Sequence, residues 1–291
     1  MPDGFVQMVD RAVGFFTELA AHNTKDWFNP RKAGYIADIR KPAELMADLM
    51  AADLSRLTGT AHQAKVMRIY RDVRFSRDKF PYNPHLHMTW KPGQPGPAFL
   101  FGVAPDYAVF GLGTFEMDAP RLAAFRVLLD RHGDDLEGAL TTARAIGAGF
   151  ADWDTPPLKR VPKPYAADHP HADLLRRKSI TLTAPLTTGW REAGLLSTLN
   201  GMVPAFLPLR RALIAVWQLH LRDRTNGQVE GLNRTSKDAT VWRVHHDDQA
   251  RLCTRLADSP ACNAARRRIT LGGRGPRAHG GKPRTSEPDG L

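Results

Sequence analysis

Cysteine is nearly missing from this sequence. Only Cys253 and Cys262 occur among 291 residues, so no disulfide framework is implied and a reducing, cytoplasmic setting is expected. Long apolar runs are missing too. No stretch of 18 apolar residues occurs, and no membrane span or membrane partner is expected. The N-terminus, M-P-D-G-F-V-Q-M-V-D, lacks a basic flank and its first charge is acidic, which argues against a signal peptide. Neither a G-x-x-x-x-G-K-[ST] phosphate loop nor a G-x-S-x-G elbow is present, and G-L-G at 111–113 does not open a helix. His85 and His87 form an H-x-H pair with no acidic or cysteine partner at short spacing. His245, His246, Cys253 and Cys262 do not keep zinc-ligand spacing. No metal and no cofactor is therefore expected.

Acidic residues are the minority. The sequence holds 30 Asp and Glu against 41 Lys and Arg, a net charge of +11, which points toward polyanion contact. The excess is uneven. Residues 1–215 carry 27 basic and 22 acidic side chains, whereas the last 76 residues carry 14 and 8. Hydrophobic content of 42% and charged content of 24% match an ordinary globular chain long enough for a full core.

Helical spacing runs through Phe5–Ala21, with Asp3 as a cap. A second helix is predicted from Pro30 to Arg40, and a third starts or kinks at Pro42 and closes at Gly59. Short extended segments follow at His85–Trp90, Ala98–Val103 and Tyr107–Phe115, joined by turn clusters. Gly111 and Gly113 share one strand face, leaving room for a helix or a ligand to approach the backbone. Helices are predicted at Pro120–His132, with Asp118 as cap, and at Asp134–Ile146. A last strand is predicted at Ile180–Leu182, and closing helices at Gly189–Leu199 and Met202–Val216. The expected architecture is one α+β domain over residues 1–216, with an antiparallel sheet of about four to five strands flanked by helices. Residues 217–291 read as a disordered basic tail, or as translation past a shifted reading frame, since Arg, Gly, Pro and Ala are what GC-rich codons encode.

The segment from Lys65 to Asn83 is the most unusual. It sets Arg68, Arg71, Arg74, Arg77 and Lys79 against Asp72 and Asp78 alone. Read as a strand, it places Met67, Ile69, Val73 and Phe75 on one face and Arg68, Tyr70, Asp72, Arg74, Ser76 and Asp78 on the other. Two readings follow. The row of guanidinium groups is an anion-binding face, with Asp72 orienting its neighbours and Tyr82 beside them. Alternatively it is an ion-pair ladder, Asp72 with Arg68 or Arg74. Lys25, Trp27 and Phe28 are candidates to face this segment, or simply to pack between two helices.

R-I-Y-R-D-V-R-F-S-R-D-K-F-P-Y-N at 68–83 resembles the hallmark of a bacterial and fungal family catalogued as a domain of unknown function, usually R-I-Y-R-D-[VI]-R-F-S-[KR]-D-K-x-P-Y-K. F-F-T-E-L-A-A-H-N-T-K-D-W-F at 15–28, Y-x-x-x-I-R-K-P at 35–42 and A-D-H-P-H-A-D-L-L-R-R-K-S at 167–179 carry the same resemblance. It spans about residues 13–216. Asn83 departs from it, standing where the family usually has Lys. The resemblance brings no activity with it.

Asp168-His169-Pro170 also has two readings. Asp168 caps a helix while Pro170 begins it, or Asp168 and His169 form an acid–base pair with Arg176 or Lys178 neutralising an anion. Ser76 and Ser179 lack an identified base. Three functions stay open: a binding protein or enzyme for an anionic phosphate-bearing small molecule, using Arg68, Arg71, Asp72, Arg74, Lys79, Tyr82, Arg176 and Lys178; a nucleic-acid binder stacking bases on Tyr70, Phe75, Phe80 and Tyr82; or a structural module held by internal salt bridges.

Overall fold

The structure, a computed structural model, describes residues 4–74, 78–115 and 117–226, with side chains as far as Gln218. Asp3, Phe75, Ser76, Arg77 and the expected tail beyond Asn226 lie outside the described residues.

Helix α1 (Gly4–Ala21) buries Val9, Phe16 and Leu19. Helix α2 (Lys25–Tyr35) begins earlier than the predicted Pro30, because the Thr24 hydroxyl caps it by accepting from Trp27 N at 3.3 Å. Pro30 lies inside it. A π-helical turn, Ile36–Arg40, leads without a break into α3 (Lys41–Thr58), which Gly59 ends at φ 67°. The left-handed conformation there suits glycine.

Six strands form one antiparallel sheet: β1 (His62–Val66), β2 (Leu86–Pro92), β3 (Ala98–Ala104), β4 (Tyr107–Gly113), β5 (Gly149–Phe150) and β6 (Thr181–Pro185). Their order is β1-β2-β3-β4-β6-β5. The α+β class and the antiparallel sheet agree with the sequence reading. Two details differ: the basic segment leaves the ladder after Val66, and the two-residue β5 lacked a periodic signal.

Cross-strand partners share a face. Trp90 pairs with Phe99, which pairs with Leu112; Met88 pairs with Phe101, which pairs with Phe110. This face is the core. Trp90 donates its indole N–H to Ala47 O of α3 at 2.8 Å, and Phe110 meets Phe206 edge-on. The opposite face presents His87, Thr89, Leu100, Gly102, Val109 and Gly111. The room left by Gly111 and Gly113 is taken by β6. A Cβ on Gly111 would lie 2.0 Å from Leu182 O, and one on Gly113 2.5 Å from Thr181 Oγ1.

The two predicted helices at 120–146 are one element, α4 (Ala119–Arg144), kinked at His132. Asp118 caps it, accepting from Arg121 N at 3.0 Å. The short helices α5 (Ala172–Leu175) and α6 (Trp190–Ala193) precede α7 (Leu195–Asn226). Helix α7 absorbs Pro204 and Pro208 and continues ten residues past the boundary expected at 216. Among the described residues it alone is long and apolar enough to cross a membrane. Its Leu199, Val203, Phe206, Leu213 and Val216 are buried in the core.

Candidate functional site

After Val66 the chain leaves the sheet as an arm, residues 67–83. Its described parts, 67–74 and 78–83, pair antiparallel near their bases. Met67 N donates to His87 O at 2.8 Å, Arg71 N to Pro81 O at 2.9 Å and Asn83 N to Ile69 O at 2.7 Å, and Tyr70 and Tyr82 form an isolated bridge. The predicted strand over 65–78 holds only at Lys65 and Val66, the end of β1; the described residues 67–74 and 78 lie outside the named strands. Pro81 has no N–H to return to Arg71, so the ladder cannot continue. The alternation itself holds: Ile69 is buried, whereas Arg68, Tyr70, Asp72 and Arg74 are exposed.

The base of the arm is clamped from two sides. Buried Asn23 imitates a neighbouring strand, donating to Tyr82 O at 2.9 Å and accepting from Tyr82 N at 3.1 Å. Arg40 donates to Met67 O at 2.8 Å and to Glu44 at 2.6 Å. Phe28 stacks on Tyr82 with centroids 4.2 Å apart and meets Tyr70 at 6.1 Å. Trp27 instead packs on Phe15 and carries Arg31 over its ring. Residues from 15–28, 35–42 and 68–83, far apart in sequence, thus build one structure.

At the tip the ions pair locally. Arg74 forks onto Asp72, Nε to Oδ1 at 3.0 Å and Nη2 to Oδ2 at 2.6 Å. Arg71 donates to Asp78 at 2.7 Å, and Lys79 Nζ reaches Val73 O at 3.0 Å. Hydrogen bonds from Arg74 hold the Asp72 carboxyl below the usual range, and those from Arg71 do the same for Asp78. Among the described residues the Arg68 guanidinium enters no hydrogen bond or ion pair; its charge adds to the lowering at Asp72.

Beside the arm lies a cleft of about 110 Å³, lined by Met67, His87, Thr89, Leu100, Gly102, Tyr107, Val109, Phe115 and Trp153 among others. His87 Nε2 and the Tyr107 hydroxyl are 2.7 Å apart. The His85 ring stacks on His87 at 3.9 Å. Burial, then the neighbouring His85, pushes His87 down to about 4. Burial lowers His85 as well, with the Arg71 charge adding to it, so the arm and the cleft share one electrostatic environment. Burial raises Tyr107 to about 12. Gly102 makes room for the imidazole: a Cβ there would lie 2.9 Å from His87 Cδ2. Sequence reasoning missed Thr89, Tyr107, Phe115 and Trp153. The H-x-H alternation was the available signal, since it fixes which β2 residues share the open face.

The segment 165–178 belongs to a different neighbourhood. His169 Nε2 is 3.4 Å from Asp130 Oδ1, and His171 Nε2 is 3.3 Å from Asp134 Oδ1. The His171 ring fills the notch at Gly133, where a Cβ would sit 1.9 Å from it. Asp168 is exposed. Helix α5 starts four residues later with His171 at its N-cap and no side-chain cap bond, so Asp168 does not cap it. Arg176 donates to Asp173, and Lys178 accepts from Met117 N through its carbonyl at 3.4 Å. The side-chain partners of His169, His171 and Arg176 thus lie on α4 and α5, not on the arm. Buried Ser179 donates to Asp154 at 2.5 Å. Among the described residues no group of three His, Cys, Asp or Glu is placed to hold a metal.

Comparison with curated proteins finds no match, and comparison with solved structures finds none. A family model described as "Conserved hypothetical protein (DUF2461)" matches residues 11–210. That match takes in the second half of α1, the clamped arm, the whole sheet and most of the buried stretch of α7, and the chain belongs to this conserved hypothetical family.

Proposed function

We propose that the arm binds an anionic, phosphate-bearing small ligand. The observation that carries this reading is the charge balance of the arm. Five cations stand against two carboxylates, and each carboxylate is already engaged by one guanidinium, Asp72 by Arg74 and Asp78 by Arg71. Arg68 remains exposed with its planar fork unengaged among the described residues, and a guanidinium so placed suits phosphate oxygens. Two large aromatic side chains on the same arm are exposed, Tyr70 at 45% and Phe80 at 55%. They favour a small ligand that carries a flat ring beside its phosphate, such as a nucleotide, over a bare anion. Asp168, His169, Arg176 and Lys178 are left out of this reading, since His169 and Arg176 find their side-chain partners on α4 and α5.

Thermal shift of the full-length chain with pyrophosphate, mononucleotides and a short oligonucleotide tests the reading. A ligand at 100 times its Kd stabilises by about 2.7 kcal/mol. Arg68→Ala is expected to abolish that shift while leaving the unliganded stability within about 0.5 kcal/mol, as for an exposed residue without partners. The basic C-terminal region is present in both proteins, so any response it causes survives the substitution. No response in the parent chain, or an equal response in Arg68→Ala, would leave the arm as a purely structural salt-bridge element.

A further inference from the structure

We infer that the cleft on the open face of the sheet is a second binding site, built for a small, uncharged, planar ring bearing one hydrogen-bonding substituent. Its walls are apolar: Met67 from the arm, Leu100 and Val109 from the sheet, and Phe115 and Trp153 from the loops beyond it. Among the described residues none that lines it is Lys, Arg, Asp or Glu. Its volume of about 110 Å³ is on the scale of the roughly 150 Å³ apolar cavity that takes benzene. Phe115 and Trp153 stack at 6.1 Å with a 27° tilt, and such a flat pair is the kind of wall against which a ring packs. Phe115 is held at φ 53°, a backbone conformation rare for a bulky residue and concentrated at ligand clamps.

The specificity comes from Thr89. Thr89 lines the cleft, only 4% of its surface is exposed, and its Oγ1 finds no hydrogen-bond partner among the described residues. Oγ1 itself is fully buried, so pairing with a ligand hydroxyl, carbonyl or ring nitrogen in the cleft takes a turn about the Thr89 χ1, favoured because it gives an otherwise unsatisfied hydroxyl a partner. His87 and Tyr107 already satisfy each other at 2.7 Å, which leaves Thr89 as the group that reads the substituent. A ring with a full charge is disfavoured, because the described residues of the lining offer no counterion. The cleft is separate from Arg68, and this inference stands whether or not the arm binds phosphate.

Phenol and toluene are suitable probes, a ring with and without one hydroxyl. Saturation-transfer NMR and titration calorimetry would be run on the full-length chain and on three variants. Thr89→Val keeps the shape and removes the hydroxyl. Val109→Phe fills the cleft. Trp153→Ala removes a wall that is half exposed, so its fold is preserved. Phenol is expected to bind the parent chain about tenfold more tightly than toluene, the scale of one buried hydrogen bond. Thr89→Val should erase most of that preference, and Val109→Phe and Trp153→Ala should each weaken phenol about fivefold or more. Equal affinity for the two probes, no saturable binding of either, or phenol binding untouched by Trp153→Ala overturns the inference.

Discussion

Arg210 stands on α7 with 6% of its surface exposed, and its Nε and Nη2 have no hydrogen-bond partner among the described residues. Burial, with the adjacent Arg211 charge, pushes its guanidinium down to about 10. The Arg210 charge reaches His62 on β1, whose Nε2 likewise has no partner among the described residues. A buried charge without a counterion costs more than an apolar side chain of similar length. Arg210→Met is therefore expected to raise unfolding stability by about 1–4 kcal/mol, read from the urea midpoint; a less stable variant would mean that the guanidinium has an acceptor in the native protein. This residue was invisible in the sequence, because the apolar period of α7 says which side is buried and not which cation is carried in with it. Asn23 was invisible for a related reason. Its role depends on Tyr82, which lies 59 positions away, and no local pattern reports such a pairing. Asp118 and Gly59, by contrast, were legible as caps because capping is settled within one helical turn.

Among the elements, β3 and β4 were read from sequence almost to the residue, since a tight A-P-D connection between two apolar runs leaves only an antiparallel hairpin. The basic arm shows where that logic stops. Alternation of buried and exposed residues reports an extended backbone; membership of a ladder needs a partner that can donate at each step, and Pro81 cannot. The break at Gly133 was seen, but as an end and not as the kink it is, because the packing of His171 into the notch is long-range. Gly111 is where element geometry is least forgiving. Its missing Cβ is what lets the β6 backbone come in, with Leu182 O at 2.0 Å from the position that atom would take. The obstacle is a main-chain carbonyl, which cannot rotate away. Gly111→Ala is expected to cost about 3 kcal/mol or more, in line with overpacking in a core, with hydrogen exchange accelerating first in β4 and β6. Unchanged protection of those two strands would show that β6 can shift without loss.

For the whole molecule, the direction of the histidine shifts sets how stability responds to acid. His87 titrates at about 4 in the fold against 6.5 for an unperturbed ring, and burial moves His85 and His62 the same way. The unfolded chain therefore binds more protons between pH 6.5 and 4, so stability rises with pH across that window and is lost as pH falls through it. The His87 contribution amounts to at most about 3 kcal/mol, fully present above pH 6.5. Asp72 and Asp78 have lowered carboxyls too, but they start from 3.8, so their protonation acts below this window. Acidification from pH 7 to about 4.5 is expected to lower Tm steadily. His87→Gln, which keeps a hydrogen-bonding group near Tyr107 and removes the proton site, should flatten the slope over the same range. A parent chain whose Tm does not change between pH 7 and 4.5, or a variant with the same slope, would mean that His87 is not held neutral by burial beside the cleft. In that case the cleft would no longer present an uncharged lining at mildly acid pH, and preference for an uncharged ring would have to fall as the pH is lowered.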